Sequence, residues 1–240
     1  MISKRILNLL NGLWAIPLVF LIRLIKPFLL IKFLQLVSAR IGHFVMDSVY
    51  MMILAQKSNK NNEYSLTWFE EPSANEYWAQ IVKSRHIVNQ WSKYLHYWNL
   101  KIPGGTSHIQ TSGPMSTRDI KGLLEESSFK LTFKKEEDIE GKKWLKGKGW
   151  LEGDPFVCVL VRDSAYIESS SLLGDYDWSY HDYRDSDINN YIPALDWLTE
   201  QGVLVIRMGK VMKNPLISDN KKIIDYAFLK EKSDFLDIWL

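Results

Sequence analysis

Apolar residues dominate the first 37 positions without forming one uninterrupted stretch. Asn8, Asn11, Gly12, Arg23, Lys26 and Lys32 interrupt them, prolines stand at 17 and 27, and the longest apolar run, Leu13 to Ile22, has ten residues. A helix that crosses a bilayer needs about 20. The pattern therefore predicts one or two short helices in a membrane interface, parted at Pro27, with Lys and Arg snorkelling to lipid phosphates and Trp14 at headgroup level. Two other readings stay open. One is a marginal span over residues 6–25, whose flanking cations would leave the rest of the chain cytoplasmic; the other is a buried core helix.

Further along, the periodicity changes. Leu66 to Phe69 reads as a short strand, and residues 75–98 place Trp78, Ile81, Val82, Ile87, Val88, Trp91, Leu95 and Trp98 mostly at helical spacings. Phe129, Leu131 and Phe133 alternate like a strand, and the charged run after them reads as solvated, with residues 141–149 as a basic linker. Phe156 to Val161 is six apolar residues in a row, the pattern of a strand buried on both faces of a parallel sheet. Residues 188–201 form an amphipathic helix that stops at Gly202. Val203 to Ile206 is a second buried strand, residues 222–227 resemble the start of another unit, and residues 233–240 read as a short capped helix. The predicted class is α/β: a membrane-associating helical segment (1–36), an amino-terminal domain (37–149) and a carboxyl-terminal domain (150–240).

Composition changes this picture little. The chain has 240 residues and a formal net charge of +2, so nothing global points to nucleic acid. The single cysteine, Cys158, excludes an intramolecular disulfide and sits in an apolar run as a small core residue. The distribution of charge is more informative: residues 1–45 carry six Lys and Arg and no acidic residue, which points to an anionic surface such as a membrane.

The candidate chemistry lies where apolar runs end in cations. Ligands of open α/β sheets bind outside the carboxyl ends of the strands. The first of these strands is followed by Arg162-Asp-Ser-Ala-Tyr166 and the second by Arg207-Met-Gly-Lys210. A βαβ connection would set the two parallel and bring both arginines to one edge, where planar guanidinium forks suit a phosphate. The competing reading of Arg162 is an ion pair at the strand end, with Asp163. Gly42 could let the backbone turn tightly at a helix start and His43 could act as a base near neutral pH, or the pair is a turn or cap. The pairs Asp175/Asp177 and Asp185/Asp187 could hold a divalent cation, but neither caps an apolar strand; the alternative is solvated turn acids, with Asp187 capping the next helix.

Val161-Arg-Asp-Ser-Ala-Tyr166, Tyr180-His-Asp-Tyr-Arg-Asp-Ser-Asp187, Val205-Ile-Arg-Met-Gly-Lys210, Ile224-Asp-Tyr226 and Ser233-Asp-Phe-Leu-Asp237, together with Arg40-Ile-Gly-His-Phe44, resemble a family of bacterial glycosyltransferases from surface-polysaccharide gene clusters. That family is distantly similar to fucosyltransferase-like enzymes of the GT-B architecture, built from two Rossmann-like domains. The resemblance implies an inverting, metal-independent transfer with no bound cofactor, from a nucleotide-sugar to a glycan or lipid-linked acceptor, on the cytoplasmic face of the inner membrane. It implies substrate-binding roles for Gly42, Arg162, Ser164, Tyr166, His181, Tyr183, Arg184, Arg207, Gly209 and Lys210, and His43 or Asp163 as catalytic base. Family members continue past the equivalent of Leu240, so the second domain is expected to be incomplete. A metal-dependent GT-A-type transferase and an inactive, membrane-bound interaction protein are the other readings.

Overall fold

The computed structural model describes residues 12–57, 62–110, 119, 122–128, 130–170 and 177–240. Those residues form a mixed α/β chain with two three-stranded sheets, every strand pairing parallel, and the chain divides into two compact units, residues 1–130 and 131–240. Among the described residues, no helix is long and apolar enough to cross a membrane.

In the amino-terminal unit, helix α1 (Ala15–Leu24) leads into β1 (Leu30–Leu36), α2 (Ile41–Lys57), β2 (Glu63–Phe69), α3 (Glu76–Arg85), β3 (Ile87–Val88) and α4 (Ser92–Lys101). The sheet order is β1-β2-β3, with Leu30 opposite Glu63 and Leu36 opposite Phe69. Here the structure corrects the reading of residues 30–36 as part of an interfacial helical segment. They are a strand, because β2 supplies a full parallel ladder and Phe33, Leu34 and Leu36 are buried. Lys32 does not reach for lipid; its ammonium lies 2.8 Å from Glu63. Residues 1–11, the start of the expected membrane segment, lie outside the described residues.

The helix expected over residues 75–98 is two helices. Asn75 caps the first by accepting from the Trp78 amide at 2.7 Å, and His86 then turns extended (φ −128, ψ 151). The β-branched pair Ile87–Val88 adds to β2, and the Asn89 amide donates to the Thr67 carbonyl at 2.9 Å before α4 begins. Strand pairing overrides helical spacing at this point.

In the carboxyl-terminal unit the order is α5 (Lys135–Gly147), β4 (Phe156–Val159), α6 (Ala165–Ser169), α7 (Ile192–Glu200), β5 (Leu204–Arg207), β6 (Ile223–Ile224) and α8 (Leu236–Trp239). The charged run expected to be solvated, and most of the expected linker, is α5. Glu136, Glu137 and Asp138 fill its first turn and Lys146 its last, as the helix dipole favours. Phe129 lies outside the described residues, and residues 131–134 are not a strand. The sheet order β4-β5-β6 makes β5 the central strand and β4 an edge. All four β5 residues are buried, whereas β4 is half-buried and Leu160 beyond it is exposed, so the expectation of burial on both faces holds for β5 and fails for β4. Alternation along β5 feeds two cores: Leu204 and Ile206 pack with Leu145, Trp150, Tyr226 and Leu236, while Val205 packs with Val161, Ile188, Leu195 and Ile223. The helix before β5 begins as a 3₁₀ turn at Ile188–Tyr191, where Asp187 accepts from the Asn189 amide, and Gly202 ends α7 with a left-handed φ of 85°.

Candidate functional site

Strand β4 pairs with β5 so that Val159 is opposite Arg207, and the loops leaving both strands emerge at the same sheet end. They frame a cleft of about 280 Å³ lined by Asp163, Ser164, Asp185, Asp187, Arg207 and Lys213, among others. It lies outside the carboxyl ends of parallel strands, where open α/β sheets commonly bind ligands.

Arg207 is the most constrained group there. Although the last residue of a central strand, it is only 1 % exposed. Its Nη1 donates to Asp225 at 2.9 Å, its Nη2 to the Asn214 carbonyl at 3.2 Å, and the guanidinium lies 5.5 Å from the centre of the Phe228 ring. The Asp225 carboxylate also accepts from the Leu216 amide at 2.8 Å, so the acid is itself fixed. The Arg207 Nε is buried without a hydrogen-bond partner among the described residues. A buried, unused N–H on a permanent cation is costly unless something accepts from it.

Two of the carboxylates around it are held by main-chain amides, whereas the Asp185 Oδ1 is buried without a hydrogen-bond partner among the described residues. Asp163 accepts from the Ala165 amide at 3.0 Å through one oxygen and from the Lys213 amide at 2.9 Å through the other, tying the loop after β4 to the loop after β5. Asp187 caps the helix that follows. Asp185 lies 3.5 Å from the Arg162 Nε. Arg162 therefore makes an ion pair at the strand end, with Asp185 rather than Asp163, and its Nη1 reaches the His181 carbonyl at 3.4 Å. Arg162 is not among the residues lining the cleft.

The other expected site residues fall apart spatially. Ser164 lines the cleft and donates to Glu168 at 2.6 Å. Tyr166 is half-buried, and burial raises its hydroxyl above the ordinary value, with Asp234 adding to the effect. His181 packs against the Trp178 and Tyr180 rings, while Tyr183 and Arg184 are exposed. Gly209 runs against Met212 with φ 155°, and Lys210 pairs with Asp234 at 2.7 Å. Asp175 lies outside the described residues, and among those described no group of three or more His, Cys, Asp and Glu is placed to hold a metal ion.

In the amino-terminal unit, Gly42 and His43 sit in the first turn of α2. Gly42 is exposed with open space around it, so no close backbone approach demands a glycine. His43 is half-buried, and burial holds its imidazole below the ordinary value, with the Arg40 charge acting in the same sense. One turn on, Asp47 is 6 % exposed, and burial pushes its carboxyl up to about 6. A separate cleft of about 550 Å³ is lined by Trp68, Glu70, Tyr94, His96, Tyr97 and Trp98, among others. The Trp68 indole donates to the His96 Nδ1 at 3.2 Å, and burial lowers the His96 pKa, both consistent with a neutral ring.

Sequence reasoning missed Lys213, Asn214 and Asp47. The first two lie only three and four residues past Lys210, in a loop with no apolar periodicity; the third is hidden in a helix where one acid among apolar residues carries no motif. Comparison with protein-family models, with curated proteins and with solved structures finds no match to this chain.

Proposed function

We propose that the protein is a glycosyltransferase in which the carboxyl-terminal unit takes the diphosphate of a nucleotide-sugar, with Arg207 rather than Arg162 as the principal cation. The observation that carries this reading is Arg207, a buried arginine with an unpartnered Nε that lines a cleft at the ends of β4 and β5. A phosphate oxygen would satisfy that donor, and Lys213, whose ammonium lies 3.1 Å from Glu168, would add a second, exposed cation. Because Asp163 and Asp187 are held by backbone amides, their charge is partly offset where the anion would sit.

The aromatic cleft of the amino-terminal unit suits a sugar acceptor: rings stack on pyranose faces, and Glu70 and His96 offer hydrogen bonds. A GT-B arrangement, with one parallel sheet per unit, is part of the same proposal. His43, kept neutral by burial, remains the base of choice over Asp163, whose two oxygens are both occupied. Departing diphosphate would be stabilised by preorganised cations, without a metal ion in the step.

Calorimetric titration of the full chain with UDP, GDP, CDP and dTDP tests the donor assignment. Saturable binding of at least one is expected, unchanged by a chelator. Lys213→Ala and Arg207→Lys should each weaken it, the latter by about 1.5–3 kcal/mol as a charge-assisted contact is lost. Absence of binding to all four, in a chain whose circular dichroism is intact, would overturn the reading. Binding that appears only with Mn²⁺ would replace it with a metal-dependent transferase.

A further inference from the structure

Apart from Arg23, helix α1 is apolar on every side. Ala15, Val19 and Ile22 face inward and pack with Phe33 and Leu95. The opposite side presents Leu13, Trp14, Phe20, Leu21 and Leu24 to solvent, and Phe28 follows; Leu24 is 75 % and Phe28 80 % exposed. A helix that is apolar all round belongs in a core or in lipid. Only one face of α1 is in a core.

Its one cation is not turned outward. Arg23 donates to Asn99 Oδ1 at 3.1 and 3.0 Å, to the carbonyls of Asn99 and Ile102 at 2.9 and 2.8 Å, and to the Pro103 carbonyl at 2.7 Å. Trp14 meets Trp91 and Tyr94 near the start of α4 while Arg23 reaches Asn99 and Ile102 near its end, so the two helices run parallel. Along the sequence, the charge that flanks this face has one sign. No acidic residue precedes Asp47, and none lies between Glu76 and Asp119, so α1, α4 and their flanks carry Lys26, Lys93 and Lys101 with no acid among them. The whole amino-terminal unit has fifteen Lys and Arg against eight Asp and Glu, a net of +7, whereas the carboxyl-terminal unit has fifteen against twenty, a net of −5.

We infer that the outward face of α1, from Leu13 to Phe28, lies in the surface of an anionic phospholipid bilayer. Ten residues rise only about 15 Å, half the hydrocarbon thickness, so the helix lies in the interface plane and does not cross it. Apolar side chains enter below the headgroups while Lys26 and the basic unit behind it meet lipid phosphate. This differs from the sequence expectation in its parts: α1 is an integral layer of the folded unit, Arg23 clasps α1 to α4, and β1 stays in the sheet.

Flotation of the full chain with vesicles tests it. Phosphatidylglycerol-containing vesicles should carry the protein up, and pure phosphatidylcholine vesicles should carry at least about tenfold less. Leu24→Ser/Phe28→Ser should lower the bound fraction about tenfold, with far-ultraviolet dichroism unchanged because both side chains are exposed. Lys26→Glu should reduce binding to the anionic vesicles alone. Equal binding to both vesicle types, or no loss in the Leu24/Phe28 variant, would overturn the inference. So would a dimer in sedimentation equilibrium that the same variant dissociates while vesicle binding is absent, since the face would then serve a second copy of the chain. The inference does not rest on the donor cleft, and nucleotide titration in the absence of lipid separates the two.

Discussion

Arg162, three residues past β4, and Arg207, the last residue of β5, have different fates, and the reason lies in the sheet. Arg162 follows an edge strand and is partly exposed, with Asp185 3.5 Å away; Arg207 ends the central strand, where it is buried, pairs with Asp225 and still leaves its Nε without an acceptor among the described residues. The sequence made the two look alike, because an apolar run followed by a cation does not record which strand is central. Asp47 raises a second residue-scale question. Its folded pKa, about 6, lies above the unfolded value near 3.8, so the folded state holds this proton more tightly. Stability is therefore full below about pH 4 and is lost as pH rises through about 6, by an amount on the order of 2 kcal/mol. Asp47→Asn should remove that slope and make the protein more stable than wild type at pH 8. Urea denaturation at pH 4.5 and pH 8 measures both effects; a steeper slope in the variant would contradict the account.

At the scale of elements, two glycine and arginine contacts decide how helices attach. Gly141 in α5 lies against the Trp239 ring of α8, and a methyl group at 141 would overlap it. Gly141→Ala should destabilise the carboxyl-terminal unit by about 1–3 kcal/mol through overpacking, although alanine gains up to about 1 kcal/mol in intrinsic helix preference; thermal denaturation decides which term dominates. Arg23→Ala should cost about 2 kcal/mol, since it strips donors from the buried Asn99 side chain and from three carbonyls. Faster amide exchange in α1 would mark that loss. The β5 strand, α7 and its Gly202 stop were legible because burial, period and cap all agree there. Residues 30–36 were not legible, because an acid-free apolar stretch reads the same whether its partner is lipid or another strand. The break at His86 escaped for a similar reason: aromatic spacings continue across it, and only pairing with Thr67 reveals the strand.

For the whole molecule, the near-neutral total conceals a basic unit and an acidic one. This sets two different salt responses. Vesicle attachment through exposed lysines should fall steeply between about 0.05 and 0.5 M salt, as the screening length shrinks below the contact distance. Nucleotide binding to the buried Arg207 should change much less, because low exposure limits screening. Flotation and calorimetry over one salt series compare them directly, and parallel loss of both would mean that the phosphate contact is made at the surface instead.

The Asp163 clasp, finally, touches only main chain: its carboxylate holds the amides of residues 165 and 213, fifty positions apart in the second case. Recognition of a peptide N–H is blind to the side chain attached to it. A lineage carrying this fold can therefore exchange Lys213 for another residue, and so retune what the cleft prefers, without untying the two loops. Position 163 has no such freedom, and sequence drift around this cleft should be one-sided.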